Sequence, residues 1–165
     1  DLRARCLDTL TRFHPVARDL RQVMAVEHAV GDLERAADHA KGIAKRVIAM
    51  PGSAVAPARA ELFGKLVKAA LGALEDSLDA FSRRDADLAA RVIRGDRKVD
   101  SLHDDLFHTV LADLKRSHRT VQDIQLLFAA KCLERIGDHA TNIAEEAMFM
   151  TRGDKPTATR SGSSE

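Results

Sequence analysis

Apolar residues recur at three- and four-residue spacing along most of the chain, the pattern of helices that each bury one stripe. Leu2, Cys6, Leu7, Leu10 and Phe13 form a first stripe, which Pro15 interrupts because it lacks an amide donor and crowds the preceding turn. A second stripe runs from about Val16 to Met50 through Leu20, Val23, Val30, Leu33, Ala37, Ile43 and Val47. At about 1.5 Å per residue it predicts a rod of roughly 50 Å. The stretch MPGSAVAP, residues 50–57, combines Pro, Gly and Ser and predicts a break, with a linker over 51–57.

Pro57 suits a first helical turn, and Phe63, Val67, Ala70, Leu74, Leu78 and Phe81 predict a helix over 58–82. Asp85 is placed to cap the next helix, whose heptad-like seam of Val92, Val99, Leu102, Leu106, Val110 and Leu114 reaches about Lys115. Thr120 with Asp123 looks like a capping-box start for a last helix from Val121 to about Met150. From Arg152 onward the chain is polar and rich in Ser and Thr, which predicts a disordered tail over 152–165.

Composition agrees with an all-α class. The apolar fraction of 45% is enough to fill a core, and six Phe with no Trp or Tyr leave Ala, Leu and charged residues to build it. A formal net charge of +1 gives no global field toward nucleic acid or an anionic membrane surface, so charge-based function must be local. Cys6 and Cys132 lack the spacing of a zinc site or disulfide framework and read as reduced thiols of a cytoplasmic protein. No apolar run approaches the roughly 18 residues of a membrane span. The chain opens at Asp1 without an initiator Met, so the true amino terminus is expected to lie upstream.

The chain repeats itself. Between residues 33–50 and 133–150, nine of eighteen positions are identical without a gap; chance gives about one. Further upstream the offset changes by four residues, about one helical turn, so that Asp19 and Leu20 align with Asp123 and Ile124, and Asp1 and Leu2 with Asp105 and Leu106. The duplicated unit predicts two tandem three-helix bundles. Residues 58–151 hold a complete second copy, whereas residues 1–50 hold a partial first copy without counterparts for the helix over 58–82 and for the start of the next.

The repeated string places Glu34 with Asp38, and Glu134 with Asp138, four residues apart on one helix face. Like charges at that spacing repel unless a cation offsets them, and Arg35 and Arg135 stand three residues before each Asp. Asp96 and Asp100 form a further pair on the preceding helix. If the two helices are antiparallel neighbours, four carboxylates converge, and an all-oxygen set suits Mg²⁺, Mn²⁺ or iron. On a helical wheel Glu134 and Asp138 fall opposite the apolar seam. His39 and His139 read as packing or hydrogen-bonding residues, and His103, on the face of Asp96 and Asp100, is a possible extra ligand. Gly137, between Glu134 and Asp138, is explained equally by close approach of another backbone and by simple tolerance.

At these residues the chain resembles the PhoU family. LERIGDHATNIAEEAMFM is similar to the family's carboxy-terminal signature, HPVARDLRQVMAVEHAVGDLERAADHAKGIA to its first-repeat counterpart, and RVIRGDRKVDSLHDDL, residues 91–106, to its second-repeat helix. The resemblance implies a cytoplasmic, homodimeric regulator of bacterial phosphate homeostasis. Such a regulator links the phosphate-specific ABC transporter to the phosphate-sensing histidine kinase, and is neither an enzyme nor inserted in the membrane. It also implies metal ions on the acidic motifs: Asp96, Asp100, Glu134 and Asp138 for the second site, and Glu34 with Asp38 for a first site whose partner aspartates would precede Asp1. Two other readings compete. A carboxylate-bridged di-iron oxidase wants Glu-x-x-His on two helices, and neither acidic motif has it. A structural coiled-coil scaffold would leave every acidic pair as a solvated face.

Overall fold

The computed structural model describes residues 1–50, 55–114 and 120–153. Among them are five helices and no strand: α1 Leu2–Phe13, α2 Ala17–Ala49, α3 Pro57–Arg83, α4 Ala86–Leu114 and α5 Thr120–Arg152. The all-α expectation holds, with element ends within about two residues of those read from the stripes. Most of the predicted linker and nearly all of the predicted tail, residues 51–54 and 154–165, lie outside the described residues.

Local chemistry explains the boundaries. Pro15 separates α1 from α2, and the chain turns there through left-handed backbone at His14 and Ala17. Pro57 opens α3, where its missing amide costs nothing. Arg84 closes that helix in the left-handed region, returning its amide to the carbonyls of Ala80 and Phe81. Asp85 then caps α4 as expected, its Oδ1 accepting from the amides of Leu88 at 2.9 Å and Asp87 at 3.0 Å.

α5 packs against α2, α3 and α4, and α3 packs against α4, whereas α1 lies on α2 alone. This explains why α5 buries most along its length, including Leu126, Leu133, Ile136, Ala140, Ile143 and Ala147. One core joins Leu66 and Ala70 of α3 to Leu106 and Val110 of α4 and Leu126 and Ala130 of α5. A second, built on Ala80, Ala89, Val92, Ala144 and Met148, closes the other end. Small residues dominate it, which lets three helices approach closely. Gly137 serves the same end, since a Cβ there would stand 3.0 Å from Val99 Cγ1. The close neighbour is thus a side chain of α4 rather than a backbone.

The α2–α5 pair is antiparallel, and its contacts obey the duplication. His28 meets Glu146 at 3.1 Å at one end, while at the other the Arg46 guanidinium lies 4.6 Å from the Phe128 ring centre. Gly42 faces Cys132 Sγ, and its repeat counterpart Asn142 donates to Asp32, the counterpart of Cys132, at 3.1 Å. Midway, the rings of His39 and His139, themselves equivalents, stack with centroids 5.5 Å apart. Approximate twofold symmetry therefore relates the two helices about their middle. Asp32, 6% exposed, is held there by His139 Nδ1 at 2.8 Å and by Asn142. His39 and His139 thus pack and hydrogen-bond as expected. Both thiols are free, Cys6 buried and Cys132 half-buried.

Asp123 departs from its expected capping role. It is buried at the start of α5 and bound by Arg59, itself 6% exposed, whose other nitrogen reaches Asp113 at 3.1 Å. The pair ties the first turn of α3 to α4 and α5, and removing one partner would strand a charge in the core. Arg59→Ala is expected to cost about 3–5 kcal/mol. Arg59→Met combined with Asp123→Leu should recover most of that loss, as urea denaturation would measure; an Arg59→Ala variant within 1 kcal/mol of the parent would contradict the ion-pair assignment.

Candidate functional site: the acidic face of α4 and α5

α4 and α5 bring Asp96, Asp100, Glu134 and Asp138 to one face, as the antiparallel expectation required. The electrostatics of Asp100 report their proximity: partial desolvation, then the negative charges of Asp96, Glu134, Asp138 and Asp104, push its carboxyl above the usual aspartate range. Each neighbour also has a local partner. Thr141 Oγ1 donates to Asp96 Oδ1 at 3.1 Å, Lys131 pairs with Glu134, and Arg135 Nη1 pairs with Asp138 Oδ2 at 3.0 Å. The expected Arg135–Asp138 offset is therefore present. Glu134 is half-buried against α4 rather than fully solvated.

All four donors are hard carboxylate oxygens, the chemistry that suits Mg²⁺, Mn²⁺ or iron. As the side chains stand, however, no group of three or more His, Cys, Asp or Glu among the described residues is disposed to hold an ion. Lys131, Arg135 and Thr141 occupy oxygens that a cation would need. The donor set fits a hard cation chemically, and its side chains would have to turn from these partners to surround one. His103 pairs with Asp104 at 3.4 Å.

The first copy is arranged differently. Glu34 pairs with Arg3 Nη1 at 3.1 Å, and Asp38 with Lys41 Nζ at 2.9 Å. That lysine, by hydrogen bond and by charge, holds the Asp38 carboxyl below its ordinary range. Arg35 turns to Asp32 at 3.5 Å instead of to Asp38, so the expected offset fails here. Among the described residues no second helix brings aspartates beside Glu34 and Asp38; α1 supplies Arg3, which lies over Gly31, where a Cβ would stand 2.8 Å from its Nη2. Lys131 was legible as a counter-ion three residues before Glu134. Asp32 as the anchor of His139 and Asn142 was not, because no local spacing links residues a hundred positions apart.

Comparison with known proteins settles the kinship. The family model described as "PhoU domain" matches residues 1–47 and 63–147. The chain belongs to the PhoU family. A phosphate-specific transport system accessory protein PhoU homolog of Rhizobium meliloti (strain 1021) is 37% identical over 153 residues, covering 92% of this chain and 65% of that protein. One of Xylella fastidiosa (strain 9a5c) is 39% identical over 142 residues, covering 86% and 60%. The chain thus spans less than two thirds of these relatives' length. Among solved structures, the phosphate transport system regulatory protein PhoU from Streptococcus pneumoniae superposes with a TM-score of 0.85 at 28% identity, over 93% of this chain and 72% of that one. PhoU from Pseudomonas aeruginosa gives 0.81 at 33%, over 90% and 72%. The all-α PhoU architecture is therefore shared.

The crowding at Asp100 carries a pH signature. Because its carboxyl titrates higher in the folded chain than in the unfolded one, its charge opposes folding above that range and stops doing so once protonated. Asp100→Asn should be more stable than the parent at neutral pH by a few tenths of a kcal/mol. That difference should disappear below the ordinary carboxylate range, in denaturation series run with a chelator. An equal or lower stability of the variant at neutral pH would contradict the repulsion.

Proposed function

We propose that this chain serves as a regulatory adaptor of bacterial phosphate homeostasis. On this reading it restrains phosphate uptake and starvation signalling by contacting the phosphate-specific ABC transporter and the phosphate-sensing histidine kinase. The supporting observation is membership of the PhoU family along nearly the whole chain, together with relatives named as accessory proteins of phosphate transport. No helix among the described residues is long and apolar enough to cross a membrane, which agrees with recruitment to membrane proteins rather than insertion. The reading places the protein in the cytoplasm as a homodimer and non-enzyme. It treats residues 1–50 as part of a first repeat, 51–57 as a linker, 58–151 as the second repeat and 152–165 as a tail.

The acidic face contributes a cation-dependent surface. Asp96, Asp100, Glu134 and Asp138 would hold Mg²⁺, Mn²⁺ or iron, which would neutralise the charge that crowds Asp100. Glu34 and Asp38 would supply half of an equivalent site. Against a di-iron oxidase, the residues three after Glu34 and Glu134 are Ala37 and Gly137, not histidines. His139 is engaged by Asp32. Against a plain scaffold, the charges of Asp96, Glu134 and Asp138 all bear on Asp100.

Two measurements test this reading. Glu134→Ala with Asp138→Ala should abolish Mn²⁺ binding by titration calorimetry while helix content by circular dichroism stays unchanged; undiminished binding would remove the cation from the proposal. Affinity capture with the chain as bait should retain the phosphate transporter and the sensor kinase from cells grown with abundant phosphate. Absence of both would overturn the adaptor role.

A further inference from the structure

Three of the four carboxylates on the α4 and α5 face have a local partner, and two of those partners are charged. Lys131 Nζ meets Glu134 Oε2 and Arg135 Nη1 meets Asp138 Oδ2 at 3.0 Å, each reaching three residues forward along α5. Thr141 gives Asp96 Oδ1 only a neutral hydroxyl. Asp100 has no cation paired with it among the described residues, and the charges that bear on it are all negative. The face is therefore a set of carboxylates with two resident cations and one open donor. The Lys131 and Arg135 side chains are 47% and 53% exposed, whereas those of Glu134 and Asp138 are 17% and 38%. Long, half-solvated arms can swing into water without disturbing the core, and the acids they leave are the more buried members of each pair. Lys131 stands at the repeat position of Gly31, so this arm has no counterpart in the first copy.

We propose that Lys131 and Arg135 are built-in competitors for the cation site: they hold Glu134 and Asp138 while the face is empty and must release them before these acids can join Asp96 and Asp100 around a divalent cation. The inference rests on the cation reading of this face given above. Its physical content is a threshold. Without the two arms, four carboxylates would face one another uncompensated, so the arms stabilise the empty face. Every oxygen they hold must be freed on binding, so the same arms lower the affinity of the site. Ion pairs this exposed contribute little to stability, which makes each arm displaceable by a divalent ion instead of a permanent block. Asp100, unpaired, is the donor at which a cation meets no competitor.

Calorimetric titration with Mn²⁺ compares the full chain with Lys131→Gln, Arg135→Gln and the double variant. Each single variant should bind about two- to fivefold more tightly than the parent, and the double variant about tenfold. Adding Glu134→Ala and Asp138→Ala should erase the gain. In EDTA the double variant should melt below the parent, and saturation with Mn²⁺ should raise its melting temperature by more than it raises the parent's. Lys65→Gln breaks the same kind of exposed pair, with Glu61 on α3, and should leave the affinity unchanged. Equal affinity in parent and double variant would overturn the competition while leaving the cation in place, and weaker binding by the double variant would overturn it by making the arms supports of the site. A gain as large from Lys65→Gln would overturn it in favour of net charge. Absence of Mn²⁺ binding by every chain would overturn both this inference and the cation reading beneath it.

Discussion

Antiparallel pairing of α2 with α5 is the constraint on which the rest depends. Each long helix is the last helix of one copy of the duplicated unit, and the two meet face to face near their midpoints. Burying Asp32 along that seam is tolerable because His139 and Asn142 satisfy it at 2.8 and 3.1 Å. Stacked His39 and His139 mark the centre, where desolvation, then the neighbouring His139 and Arg135, hold the His39 imidazole below its ordinary titration range. With the seam fixed, α5 has one face left for α3 and another for α4. The acidic residues on α5 are thereby turned toward Asp96 and Asp100.

The acidic residues of the two copies meet different partners among the described residues. Glu134 and Asp138 lie beside the aspartates of α4 and pair with Lys131 and Arg135, while Thr141 donates to Asp96. Among the described residues, Glu34 lies beside α1 and pairs with its Arg3, and Asp38 pairs with Lys41. Gly137, against Val99, lets α4 sit close enough to matter; Ala37, at the equivalent place, has no such neighbour and is exposed.

Period and punctuation made the helices legible. Pro15, Pro57 and Asp85 mark boundaries through local chemistry, and a stripe at helical spacing needs no knowledge of what covers it. Convergence of the four carboxylates was also readable, because the antiparallel relation of consecutive helices follows from their short connections. Partners without a local rule were hidden. Asp123 looked like a cap because Thr120 precedes it by three, yet a buried guanidinium from α3 claims it. Arg35 looked like the mate of Asp38 by analogy with Arg135, but buried Asp32, on the same helix, takes it. A tertiary contact decided the first case, and in the second a local rival three residues back on the same helix took the guanidinium.

Gly42 offers the most direct check of the helix pairing, since a Cβ added there would stand 3.2 Å from Cys132 Sγ. If α2 and α5 meet in this register, Gly42→Cys in a chain lacking Cys6 should form an intramolecular disulfide with Cys132 under mild oxidation, seen as a faster-migrating monomer on a non-reducing gel. Free thiols after oxidation, or a disulfide only between chains, would contradict the seam and the placement of the acidic face that follows from it.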